Sequence, residues 1–159
     1  MIAEKIIGNI RDAEFKECSV DYVEIEWYDA FKKIHRKTTQ KGRDMGMSFD
    51  DGILTRGLMP GDVIYREGNE IVAVKLLPCQ VLVVKTDHAH PQMSHKVCYE
   101  IGNRHAALFW GEEENSFITP YTEPLEKLLG GLHGVTVEKK QMVLPFDRKI
   151  SSMVHNHTH

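Results

Sequence analysis

The sequence predicts an α+β protein, with a small all-β domain first, a β-α-β-β-α-β domain second and a histidine-containing tail last. Three observations carry this reading. Apolar and polar residues alternate through much of the first half, which is the period of strands with one buried face. Composition shifts at Leu77-Pro78-Cys79, after which strand-like runs alternate with segments of helical period. From about Asp147 apolar periodicity is lost, and His155, His157 and His159 fall on alternate residues of what reads as a disordered tail. The 159 residues, 42% of them apolar, suffice for packed cores in one ordinary domain or two small ones.

Within the first domain, residues 1–76, Val23-Glu24-Ile25-Glu26-Trp27 alternates apolar residues with acids, and Met45, Met47 and Phe49 alternate with smaller neighbours. Both are strands. Pro60-Gly61-Asp62 makes a turn, and Val63-Ile64-Tyr65 and Ile71-Val72-Ala73-Val74 flank Glu67-Gly68-Asn69-Glu70, whose Gly-Asn centre tolerates positive φ and closes a hairpin. In the second domain, residues 77–146, Gln80-Val81-Leu82-Val83-Val84-Lys85 is a continuous apolar strand. A helix follows from Pro91 or Ser94 to His105, with Val97, Ile101 and His105 at four-residue steps on one face. Ala107 to Trp110 reads as a strand, Gly111-Glu112-Glu113-Glu114-Asn115 as a turn and Ser116 to Pro120 as the returning strand. Thr122 can cap a second helix with Pro124 in its first turn and Leu125, Leu128, Leu129 and Leu132 inward, until Gly130-Gly131 ends it. Val135-Thr136-Val137, continuing towards Met142-Val143-Leu144, is the last strand, which completes a ferredoxin-like order.

The formal charge of -3 supplies no basic footprint for nucleic acid. The first residues lack a leader-like apolar run, and no stretch reaches the roughly 18 apolar residues of a membrane span. The reading is a soluble, cytoplasmic protein. Cys18, Cys79 and Cys98 are odd in number and have no Cys-x-x-Cys spacing, which argues against a disulfide framework or a thiolate zinc site. Also absent are His-Glu-x-x-His, the phosphate-binding glycine loop and a Gly-x-Ser-x-Gly elbow, so nothing nominates a catalytic nucleophile.

The chemistry lies in the histidines. Neutral imidazole is a borderline ligand suited to nickel, copper and zinc, and a tail loses ordering entropy on binding, so it can capture an ion without trapping it. His105 is ambiguous. An imidazole on an apolar helical face is slightly more often a satisfied core residue than a ligand. Gly102 and Asn103 count against that, because glycine inside a helix marks a close backbone approach or the helix end. A lone histidine cannot hold a metal, but two copies meeting across a twofold axis would form half a site for tail histidines to complete. His88, His90 and His95 lie between elements and are candidates for weak, exchangeable sites, whereas His35 and His133 read as surface residues. Glu112, Glu113 and Glu114 read as a solvated turn, and Cys98 as core packing.

The stretch Lys96-Val97-Cys98-Tyr99-Glu100-Ile101-Gly102-Asn103-Arg104-His105-Ala106-Ala107-Leu108 closely resembles the central motif of the UreE family of urease accessory nickel metallochaperones, with Ile101 to His105 its most specific part. Val20 to Trp27, Pro60 to Tyr65 and Glu123 to Leu128 also resemble family segments, in the expected order. The resemblance implies a β-rich, peptide-binding-like domain followed by a ferredoxin-like metal domain, and a homodimer through the C-terminal domains with His105 of each protomer binding Ni(II) at the interface. His155 and His157 would close the coordination, with His159 auxiliary, and Zn(II) or Cu(II) could bind the same site. It further implies delivery of nickel to apo-urease within an accessory complex that includes a UreG-type GTPase. Some members carry a further histidine pair where this chain has Thr119 and Tyr121. The competing readings are a metal storage or buffering protein without a dedicated client, and a zinc hydrolase, which would need three fixed ligands and a base.

Overall fold

A computed structural model describes residues 1–150, and the chain forms two compact units that meet in sequence at Leu77 and Pro78. The architecture is α+β, with sheet-rich units at both ends and three helices among the described residues.

The first unit contains β1 (Ile2–Ala3), β2 (Gly8–Asn9), β3 (Ser19–Ile25), β4 (Ile34–Thr38), β5 (Asp44–Ser48), a one-turn helix α1 (Ile53–Arg56), β6 (Asp62–Glu67) and β7 (Glu70–Leu76). They form a three-stranded sheet, β1-β5-β4, and a four-stranded sheet, β2-β6-β7-β3. The run Ile71 to Val74 is buried throughout because β7 is central, paired antiparallel to β6 and parallel to β3. Gly68 takes φ 59° and Asn69 stays at negative φ, so one residue of the expected Gly-Asn pair makes the tight turn. Strand β3 begins earlier than the acid alternation indicated and stops at Ile25, before Trp27.

Sequence patterning missed three polar anchors in this unit. Asp62, 1% exposed, receives Arg56 through two bonds of 2.6 and 2.8 Å and the Met59 backbone N–H at 2.8 Å. Asp21 is equally buried and accepts from Arg43 and the Lys41 backbone. Burial pushes the Asp21 carboxyl up, but the donors from Thr39, Arg43 and Lys41 outweigh it and hold the group below the ordinary carboxylate range.

The third anchor corrects the surface reading of His35. It is only 7% exposed, on β4, and its Nε2–H donates to the Lys32 carbonyl at 2.9 Å. A basic-looking strand hid it, since Arg36 and Lys37 follow directly on the inward position. Burial lowers the pKa of His35 despite the opposing hydrogen bond to Lys32. The folded state therefore prefers neutral His35, and its contribution is complete above the ordinary imidazole value of about 6.5 and declines as pH falls below it. Denaturation midpoints of the first unit should drop between pH 7.5 and 5.5, and by less in His35→Gln. An equal drop in both proteins would remove His35 as the cause.

The second unit contains β8 (Cys79–Thr86), α2 (Gln92–Asn103), β9 (Phe109–Trp110), β10 (Ser116–Pro120), α3 (Glu123–Gly130) and β11 (Val135–Met142). Its antiparallel sheet runs β11-β8-β10-β9, the strand order of a ferredoxin-like β-α-β-β-α-β unit. Leu82 and Val84 pack with Val97 and Ile101 of α2 and Leu125 and Leu129 of α3. Each such fully buried side chain contributes about 1.5–3 kcal/mol. Thr122 caps α3 by accepting from the Leu125 N–H, and the Gly131 N–H returns to the Lys127 carbonyl at the far end. The final strand stops at Met142, ahead of Leu144-Pro145.

Strand β9 is shorter than expected because Ala107 and Leu108 make no ladder with β10, whose register reaches only Phe109 and Trp110. The Leu108 carbonyl accepts from the Ile150 N–H at 2.8 Å instead, and Lys149 bridges to Phe109 in antiparallel sense. Phe146 stacks on Phe109 with ring centroids 6.0 Å apart. Ordered chain thus continues beyond Asp147, where periodicity had indicated the start of the tail.

Candidate metal centre

His105 is not on the helix whose face it was expected to share. Helix α2 ends at Asn103, and His105 adopts φ 54° in the left-handed region. The His105 N–H donates to the Gly102 carbonyl at 2.9 Å and the Ala106 N–H to the Ile101 carbonyl at 3.2 Å. This is the paired bonding of a Schellman motif, with His105 where glycine is usual. Gly102 and Asn103 weaken the last turn, and a Cβ on Gly102 would meet nothing within 4 Å, so its role within the chain is the helix end rather than a close approach. Arg104 donates to the Glu100 carboxylate at 2.8 Å and to its carbonyl at 3.1 Å, which fixes that turn. Hydrogen bonds from Lys96 and Arg104 hold the Glu100 carboxyl below its ordinary range.

The core reading of His105 therefore fails, because the residue is exposed beyond the buried pair Val97 and Ile101. An L-residue in the left-handed region costs roughly 1–2 kcal/mol, least for asparagine, aspartate and histidine.

Among the described residues no three His, Cys, Asp or Glu side chains converge as a metal cage, so a site at His105 needs ligands from elsewhere. His155, His157 and His159 lie outside the described residues. Their root does not, because Ile150 is hydrogen-bonded to Leu108, three residues from His105. Three residues span at most about 11 Å and the five from Ile150 to His155 about 17 Å, so chain length permits tail imidazoles to reach His105.

The remaining candidates separate. His95 is exposed on α2, while the His88 Nδ1 lies 3.1 Å from the Asn115 amide nitrogen. His90 and His133 meet with their Nε2 atoms 3.1 Å apart, a pairing that sequence reading had not made. The strand order could have revealed it, since β8 and β11 are antiparallel neighbours and the connections carrying the two histidines share one end of the sheet. Glu112 to Glu114 form an exposed turn, with Glu113 paired to Lys85 at 2.7 Å. Burial raises the pKa of the Cys98 thiol, which packs against the core and is unsuited to thiolate ligation. Thr119 is fully buried in β10.

Comparison with known proteins adds family matches over both units. Residues 3–77 match the family described as UreE urease accessory protein, N-terminal domain, and residues 79–159 match its C-terminal domain. A urease accessory protein UreE of Helicobacter pylori is 42% identical over 129 residues, covering 81% of this chain and 74% of the relative. That of Acetivibrio thermocellus is 36% identical over the full length of both chains. A third, from Helicobacter acinonychis, is 37% identical over 98% of this chain and 90% of the relative.

Proposed function

The chain belongs to the UreE family of urease accessory proteins, and from that premise we propose that it is a cytoplasmic nickel metallochaperone, a carrier rather than an enzyme. It binds Ni(II) through His105 and tail histidines and delivers the ion to apo-urease during assembly of the urease metallocentre. The observation that carries this reading is His105 itself, an exposed imidazole at a glycine-like backbone position, beside the root of a tail with three more. Two copies of His105, brought together in a homodimer through the second unit, supply half of the coordination. His155 and His157 supply the rest, with His159 auxiliary. Tyr99, 63% exposed on α2, and Trp110, 55% exposed on β9, give that unit apolar surface for a second copy.

A tethered tail acts at an effective concentration of order millimolar, so modest imidazole affinity closes the site yet yields the ion to a partner with more ligands. The nickel is cargo, and Zn(II) or Cu(II) can occupy the same ligands. Release requires a client, here the apo-urease complex with its UreG-type GTPase.

The test is an activation assay with purified apo-urease, the GTPase and limiting Ni(II). The intact chain should bind the GTPase and raise urease activity, and His105→Gly should lose most of the gain. A chain that binds nickel but neither engages the GTPase nor raises activity is a buffer, the second reading.

A further inference from the structure

We propose a second transition-metal site in the C-terminal unit, formed by the imidazoles of His90 and His133, at the opposite end of α2 from His105. The Nε2 atoms of the two rings are 3.1 Å apart and the ring centroids 4.6 Å, with the planes inclined by 65°. Two imidazole nitrogens bound to one ion at 2.0–2.1 Å lie roughly 2.9 Å apart at a right angle and 3.4 Å at the tetrahedral angle, so the observed spacing is a chelating bite.

Both rings are set by backbone structure. The Asp87 N–H donates to the Gly134 carbonyl at 2.8 Å, joining the connection after β8 to the turn before β11. The His90 N–H then returns to the Asp87 carbonyl at 2.9 Å, and the Asp87 side chain accepts from the Ala89 N–H at 2.9 Å. Gly134, at φ 72°, makes room for the His90 ring, since a Cβ there would stand 2.9 Å from its Cδ2. His133 is exposed and His90 half-buried, so the remaining coordination positions open to water. A single N–H···N bond with one imidazole exposed to water contributes little, whereas a shared ion uses both nitrogens at once.

The ligand is a borderline divalent cation, Ni(II), Zn(II) or Cu(II), held by two imidazoles and water and therefore exchangeable. His88 takes no part as placed, because its Nδ1 is engaged by the Asn115 side-chain amide at 3.1 Å. The 12 residues of α2 put about 18 Å between this pair and His105 within one protomer, so the two sites are separate. The second site adds an intermediate holding position on the metal domain, distinct from the tail.

The test is Zn(II) titration of full-length His105→Ala, with the histidine side-chain nitrogens followed by NMR and zinc sulfate taken past the protein's nine histidines. The Nε2 signals of His90 and His133 should move together along one binding curve, with that of His88 unmoved. In His105→Ala/His133→Gln, half-saturation at His90 should need at least about tenfold more zinc. Still signals at His90 and His133 after the tail histidines saturate, or a His90 response that His133→Gln leaves unaltered, would reduce the pair to a hydrogen bond. The single variant decides the matter if the double variant does not fold, and the His105→Ala background keeps the outcome independent of the carrier site.

Discussion

Calorimetric titration with Ni(II) at neutral pH should find about one tight ion per dimer in the intact chain, and His105→Ala and His105→Gly should each weaken that binding by more than about 100-fold. The glycine variant is the more informative. His105 occupies the left-handed C-terminal position of a Schellman motif, where glycine relieves a backbone penalty of roughly 1–2 kcal/mol. The more flexible unfolded chain returns about 0.5–1 kcal/mol of that gain. His105→Gly should therefore fold as well as the parent or up to about 1 kcal/mol better while losing the nickel. Light scattering should still give a dimer in both variants. Tight binding that survives in both would move the metal to the tail alone or to the histidines before α2, and would leave the carrier reading without its central ligand.

The second large effect is expected in the N-terminal unit, where Asp62→Ala should destabilise by about 2–4 kcal/mol. The carboxylate is buried between α1 and the start of β6, takes the Arg56 guanidinium in a fork and satisfies the Met59 N–H. Removing it strands that N–H in a closed turn. The Arg56 side chain is 46% exposed and can turn to water, which puts the loss nearer the lower limit. Urea unfolding followed by Trp27 fluorescence in a Trp110→Phe background isolates this unit, because the chain has two tryptophans, one in each. A change below about 1 kcal/mol would mean the fork is ornamental, and Arg56→Ala combined with Asp62→Ala measures the coupling directly.

Much of the fold was legible because local patterns and tertiary structure agree. Alternation marked β5, the turn residues placed the β6–β7 hairpin, and the cap at Thr122 and paired glycines bounded α3, which ends at Gly130 and leaves Leu132, read as part of its inward face, beyond it. Periodicity failed where a helix ends without breaking the apolar spacing. Val97, Ile101 and His105 read as one face, yet a four-residue interval carries no information about whether the last turn was completed. Gly102 and Asn103 held the only local warning. The buried position of His35 was hidden in a strand whose charged neighbours point outward, and Asp21 and Asp62 looked like ordinary surface acids in sequence.

By itself, then, the sequence determined the α+β class, the order of elements in the second unit, the strands β3, β5, β6 and β7 of the first, the family motif around His105 and the abundance of imidazole in the last five residues. These follow from residue type and short-range spacing, which the chain carries without folding. Tertiary structure alone decided that His105 stands exposed in the left-handed conformation just past the end of α2, that Ile150 is held against Leu108, and that His90 meets His133 across 43 residues of chain. Each is a matter of which distant segments become neighbours, and antiparallel pairing of β8 with β11 and the docking of residues 149 and 150 on Phe109 and Leu108 fix those neighbours through backbone hydrogen bonds common to every residue type.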